Sequence, residues 1–230
     1  MPFVNLSWNQ LEFAAVLRFG YTKYKPSQIG STGPLNHAWN AIVIDNNYYF
    51  LDVTWASGYC GRDEKDKLKP FVKKFSNYYW LTPVDKLSRN HFPKDSVWVR
   101  SSKYKIAKEK YKKTPYIEPS QLAQLEIISP DTGVIAAKVG DTIHFKIKYN
   151  NTLSRLQINT NTNANPEVWK SIKEELIWDE KALAKQKYVD FLKRDDIYTF
   201  NYVVTDKNMR YIDVLFELNI VMKFKVAIIK

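Results

Sequence analysis

Two residues in the chain have the types and spacing to do chemistry together. His37 stands just before the apolar run Ala38–Ile44, and Asp52 ends the run Tyr48-Tyr49-Phe50-Leu51, with Asp45-Asn46-Asn47 between the two runs. A carboxylate among such neighbours costs several kcal/mol to desolvate unless it is paired or hydrogen-bonded. An aspartate that accepts from one imidazole nitrogen fixes the tautomer of the other and stabilises the imidazolium that forms when histidine takes a proton. That is two-thirds of a nucleophilic triad, whose third member is a thiol or hydroxyl. The residues alone leave a plainer alternative open, in which Asp52 satisfies backbone amides and His37 simply ends a strand.

The elements that must position this pair read as a hairpin. Asn and Asp tolerate positive φ, so Asp45 is expected to pair with Tyr48 across the two-residue loop Asn46-Asn47. Both strands are nearly continuous in apolar residues, which predicts burial on two faces. In that register His37 and Asp52 share a face but are offset along the strands. A bulge or a strong twist is needed to bring them into contact.

The chain has 230 residues, with 45% hydrophobic and 26% charged content, which excludes wholesale disorder. Seven glycines against 15% aromatics favour strands and stacked aromatic cores over a glycine-rich phosphate-binding fold. The single cysteine, Cys60, rules out an intramolecular disulfide. Three histidines in no metal-ligating spacing argue against a zinc site, and no cofactor is expected. In His91-Phe92-Pro93 the imidazole is expected to pack or to cap a turn. The most apolar stretch, Ile212 to Ile229, is interrupted by Asp213, Glu217, Asn219, Lys223 and Lys225, so no membrane span is expected. No signal peptide is evident, which makes a cytoplasmic protein the expectation.

Net charge is +11, and residues 62–113 carry most of it, with 16 basic and 6 acidic side chains. Their C-terminal part holds Arg100, Lys103, Lys105, Lys108, Lys110, Lys112 and Lys113. The six lysines can serve as a strip for an acidic surface, or simply as a solvated connector. Arginine, which reads phosphate bidentately, occurs here only as Arg62, Arg89 and Arg100, and no RNA-binding signature is present, so nucleic acid is not the expected partner.

Pro115 and Pro119 with no sustained periodicity mark residues 101–120 as a linker between a domain over 1–100 and a second over 121–230. The second reads as a β-sandwich. Ile143, Phe145, Ile147 and Tyr149 alternate with Thr142, His144, Lys146 and Lys148, which puts His144 in solvent. Met222, Phe224, Val226 and Ile228 repeat the pattern, as do Tyr198, Phe200 and Tyr202, and Pro130-Asp131-Thr132-Gly133 signals a turn. One helical insertion is expected, capped by Asn165, with Pro166 at its first position and Trp169, Ile172, Leu176 and Leu183 along one face.

His37-Ala38-Trp39-Asn40, followed by Asp52-Val53-Thr54-Trp55 and Gly58-Tyr59, resembles the His and Asp blocks of the transglutaminase-like cysteine enzymes. The layout is similar to that of papain-type proteases. Tyr78-Tyr79-Trp80-Leu81-Thr82-Pro83, then Asn90-His91-Phe92-Pro93 and Trp98, resembles the kyphoscoliosis-peptidase and hillarin group, whose members are cytoskeleton-associated. The resemblance holds over residues 20–100. It implies an α+β fold, with an incomplete, papain-like antiparallel sheet domain followed by a mainly β, sandwich-like domain. It also implies His37 as general base, Asp52 as its orienter, and Trp39, Asn40 and Trp55 as supporting residues. In that superfamily the nucleophilic cysteine precedes the histidine on a helix whose dipole lowers the thiol pKa. No cysteine occurs among residues 1–36, so that helix is expected to be absent from this chain. Cys60 follows the Asp block and is on the wrong side of His37 in chain order. The implied function is a non-catalytic module that binds protein, possible cytoskeletal partners included; the alternative is a fragment of an active cysteine peptidase or protein-glutamine acyltransferase whose cysteine lies upstream.

Overall fold

The computed structural model describes residues 5–8, 11–45, 47–63, 65, 67–95, 107–172 and 175–229. The chain divides into two compact units between Lys112 and Lys113. Arg100, Lys103, Lys105 and Trp98 lie outside the described residues.

The first unit contains β1 (Asn5–Trp8), β2 (Leu11–Thr22), β3 (Leu35–Ile44), β4 (Asn47–Leu51), β5 (Gly58–Arg62), β6 (Leu68–Lys73), β7 (Thr82–Pro83) and β8 (His91–Pro93). β1, β2, β3, β4 and β7 follow one another in an antiparallel sheet, β8 pairs with the end of β2, and β5 and β6 form a separate hairpin. Among the described residues, three short α-helices accompany them: α1 (Val53–Ser57), α2 (Val84–Leu87) and α3 (Lys108–Lys112).

Strand alternation decides what this sheet buries. Trp39 and Ala41 on β3 and Phe50 on β4 are fully buried, with Ala41 directly opposite Phe50. The other face is half-covered. Leu17 and Phe19 on β2, opposite Asn40 and Ala38, are 52% and 58% exposed. Burial on both faces, expected from the apolar runs, is therefore not what the structure has, because an unbroken apolar sequence does not specify how well each face is covered.

The hairpin turn also sits one residue earlier than expected. Ile44 pairs with Asn47, and Asp45 takes the positive φ of 48° in the turn. Asn47 Nδ2 donates to Asp45 O at 3.0 Å and so anchors the turn from the strand side. The change leaves the parity of the register intact, so His37 stays on the side of Asp52.

Residues 108–112 are anchored on the first unit. In α3, Tyr111 is fully buried and stacks on Phe92, with centroids 5.1 Å apart. Lys23 Nζ donates to the Tyr111 and Lys112 carbonyls at 2.6 and 2.7 Å, meeting the partial negative charge at the helix C-terminus. Lys108 sits over the Tyr21 ring at 4.4 Å. Lys108 and Lys110 stay exposed.

The second unit contains β9 (Tyr116–Ile117), β10 (Leu125–Ser129), β11 (Val134–Ala137), β12 (Thr142–Tyr149), β13 (Leu156–Thr160), β14 (Trp169–Ile172), β15 (Glu175–Trp178), β16 (Phe191–Arg194), β17 (Ile197–Val203), β18 (Tyr211–Phe216) and β19 (Asn219–Ile228). One sheet runs β10-β12-β17-β16 and the other β11-β19-β18-β13, with β9 beside β19. Their inner faces share one core. Phe145 and Phe200 stack across β12 and β17, and Phe145 meets Phe224 of the other sheet edge-on at 5.4 Å. His144 is exposed, with Nδ1 2.8 Å from Asn201 Oδ1.

The expected helical insertion is mostly a hairpin. β14 and β15 pair antiparallel, and Trp169 stacks on Trp178 directly opposite, with centroids 3.9 Å apart. Cross-strand aromatic pairs of this kind stabilise a ribbon that a three-to-four-residue apolar spacing disguises as a helix. Asn165 does not cap. Its amide donates to Asn159 Oδ1, and its oxygen accepts from Lys187 N. The only helical turn described there is α4 (Glu180–Leu183), capped by Asp179.

Candidate functional site

A bulge in β3 and the end of β4 bring the two sequence candidates together. In the β2–β3 ladder Gly20 faces His37 but Tyr21 faces Leu35, so Asn36 is the extra residue. The bulge swings His37 toward the far end of β4. Asp52 has left the strand there and caps α1, its Oδ1 accepting from Trp55 N at 3.0 Å. Its own N–H donates to Tyr79 O at 2.9 Å.

The other carboxylate oxygen carries the interaction of interest. His37 Nε2 lies 2.5 Å from Asp52 Oδ2, and His91 Nε2 lies 3.0 Å from the same atom. Asp52 is 1% exposed, His91 0% and the His37 side chain 17%. Around these groups stand Trp55, whose ring is 5.1 Å from His37 and 4.7 Å from His91, and Trp39, 4.9 Å from His91 and nearly perpendicular to it. Tyr79 packs against both Trp55 and His91.

The electrostatics follow from burial and partners. Burial alone would push the Asp52 carboxyl up. The hydrogen bonds from His37 and His91 and from the Trp55 amide outweigh it and hold the group well below the usual carboxylate range. Burial is the largest influence on His91 and pushes its pKa below the free-imidazole value, although Asp52 opposes this. Burial likewise raises the Tyr79 phenol, which therefore keeps its proton.

Both shifts have the same sign for stability. Below about pH 6.5 an unfolded His91 takes up a proton that the folded one resists, and below about pH 4 the same holds for Asp52. Unfolding therefore releases no protons but binds them, and stability is expected to fall in two stages as pH drops from 7 through 6 and then below 4. Chemical denaturation at stepped pH measures it. A flat profile between pH 7 and 5 would show that His91 is not held neutral.

His37, Asp52 and His91 offer three ligand atoms within 4.8 Å of one another. A zinc ion needs each ligand about 2.0–2.2 Å from the metal. Tetrahedral ligands at that distance stand about 3.4 Å apart, so the 2.5 Å between His37 Nε2 and Asp52 Oδ2 is the spacing of a hydrogen bond and not of two ligands of one ion.

Of the supporting residues expected from sequence, Trp39 and Trp55 reach the cluster. Asn40 follows Trp39 on a strand, so it lies on the opposite face, opposite Leu17 and Leu51. Cys60 is exposed on β5, opposite Phe71. His91, expected to pack or cap a turn, instead sits against the carboxylate. With it come Asn90, whose Oδ1 lies 2.9 Å from His91 Nδ1, and Tyr79, whose hydroxyl lies 3.2 Å from Asn90 Nδ2. The signal available in sequence was the adjacent polar pair Asn90-His91 leading into apolar Phe92-Pro93. Among the described residues, His37 Nδ1 has no hydrogen-bond partner, and no helix is long and apolar enough to cross a membrane.

Compared with known proteins, the chain matches no family model. Over 81 residues, 34% of its length, it is 30% identical to kyphoscoliosis peptidase of Mus musculus. It has the same 30% identity over 81 residues to kyphoscoliosis peptidase of Homo sapiens. The matched stretch spans only 12% of either relative.

Proposed function

We propose that this chain is a transglutaminase-like protein that retains the His–Asp half of a cysteine-enzyme site without its nucleophile, and acts as a cytoskeleton-associated, protein-binding module. The observation that carries the reading is the 2.5 Å contact between His37 Nε2 and Asp52 Oδ2 in a chain with no cysteine before His37. The likeness to kyphoscoliosis peptidase supports the same family. Where no thiol reaches His37, the imidazole contributes no acyl transfer. The sheet then serves to present a surface, with Leu17 and Phe19 exposed on β2.

The test has two arms. The 230-residue protein is incubated with a glutamine-containing peptide and a fluorescent amine, and separately with a peptidase substrate. Turnover no greater than that of a Cys60→Ser variant is expected, together with co-sedimentation on assembled cytoskeletal filaments. Turnover lost in Cys60→Ser would overturn the non-catalytic reading, and absence from the filament pellet would overturn the partner.

A second reading is favoured by the outward nitrogen of His37. With Nε2 held by Asp52, Nδ1 is the basic atom and has no partner among the described residues. That is the atom a thiol would approach, so the chain equally suits a fragment of an active cysteine peptidase or acyltransferase whose cysteine lies upstream. Restoring upstream coding sequence and labelling with a thiol-directed electrophile separates the two readings. Labelling that depends on His37 is the result this alternative requires.

A further inference from the structure

The His37–Asp52 pair leaves one buried titratable group without a role. His91 lies entirely out of solvent, on the same carboxylate oxygen as His37, in a ring of Trp39, Trp55 and Tyr79. A residue that merely filled this space would need no nitrogens, and an apolar side chain would avoid burying two polar atoms.

We propose that His91 is a positioning residue, donating from Nε2 to Asp52 Oδ2 so that one carboxylate oxygen is shared by two imidazoles and His37 is held with Nε2–H inward and Nδ1 outward. The geometry supports this from both sides. Asp52 Oδ1 is committed to the Trp55 amide, so the carboxylate cannot rotate without breaking its cap. An oxygen has two lone-pair directions, and His37 and His91 take one each at 2.5 and 3.0 Å. His91 thus acts on His37 only through Asp52.

The far side of the ring sets a further condition. A ring kept neutral by burial has a single N–H. With that hydrogen on Nε2, Nδ1 becomes an acceptor. The Asn90 side chain, 2.9 Å away, must then turn its NH2 toward His91 and its oxygen toward the Tyr79 hydroxyl. The two ends of an amide are nearly the same size, so the turn changes no packing. Donation then runs in one direction, from Tyr79 to Asn90, from Asn90 to His91 and from His91 to Asp52, where it meets donation from His37. Every buried polar group in the run is satisfied without a buried positive charge.

This inference rests on the reading of His37 and Asp52 as a retained pair, and one experiment on the full chain separates the two. Imidazole N–H protons hydrogen-bonded to a buried carboxylate resonate far downfield, and correlation to ring carbons assigns them. Two such signals are expected, one from Nε2–H of His37 and one from Nε2–H of His91. A His37 signal alone, or a His91 proton assigned to Nδ1, overturns the role of His91 and leaves the pair intact. Absence of the His37 signal from the wild-type spectrum overturns the pair itself. In His91→Leu, which keeps apolar bulk, the His37 signal is expected to move upfield or vanish. In His91→Gln, which can still donate to Asp52, it should persist. Identical His37 signals in wild type and His91→Leu would reduce His91 to filler, and the wild-type spectrum decides the matter even where His91→Leu fails to fold.

Discussion

Asparagine at position 52 is expected to destabilise the protein by about 2–4 kcal/mol, although it matches aspartate in shape. The carboxylate accepts from Trp55 N on one oxygen and faces two imidazole nitrogens on the other. An amide has one oxygen. Placed toward the imidazoles, it leaves NH2 against the Trp55 N–H, donor against donor. Placed toward Trp55, it presents NH2 to His37 and His91, and each ring must surrender its Nε2 proton and shift its tautomer. The first arrangement strands a buried polar group and the second forces both rings into the other tautomer, in a site where Asp52 and His91 are essentially out of solvent. Denaturant unfolding at pH 7 measures the loss. A change below about 0.5 kcal/mol would mean that the cluster does not depend on a charged acceptor. Asp52→Asn should also flatten the acid limb of the stability profile, because the group that ionises below pH 4 is gone.

How far the sequence foretold this site depends on the distance over which each interaction acts. The His37–Asp52 pair was legible because both residues belong to one hairpin, and parity along two strands is a local property. It survived an error in the turn, since moving the closing pair from Asp45 and Tyr48 to Ile44 and Asn47 preserves parity. The bulge at Asn36 was legible only as a need, because it is set by how β2 pairs from outside the hairpin. The partner of His91 was not legible. That histidine reaches Asp52 across 39 residues, through pairing of β8 with the end of β2, and nothing in His91-Phe92-Pro93 announces a partner so far away. In the second unit the strand alternation of Thr142–Tyr149 matches the observed burial residue by residue. The Trp169–Leu183 stripe misled because hairpin spacing there coincides with helical spacing, and the cross-strand stacking of Trp169 on Trp178 decides between them.

The second large effect is expected at a residue with no side chain. Gly20 sits on β2 between His37 on one neighbouring strand and Pro93 on the other. A Cβ there would stand 2.2 Å from Cη2 of Trp39 and 2.5 Å from the carbonyl oxygen of Phe92. Neither neighbour can yield cheaply. The Trp39 ring is fully buried and perpendicular to His91, and the Phe92 carbonyl belongs to β8, the strand that carries His91. Gly20→Ala must therefore drive the indole toward His91 or lift β8 from the edge of the sheet. Overpacking of this kind costs about 1–3 kcal/mol in a core that can adjust, and the upper end or beyond is expected where one of two obstacles is backbone. The two routes of relief are distinguishable. Displacement of the indole would disturb both downfield imidazole signals, whereas detachment of β8 would remove that of His91 and leave that of His37 on Asp52. A Gly20→Ala protein with wild-type stability and both signals unchanged would mean that the indole and β8 do not press on this site as closely as the contact distances require.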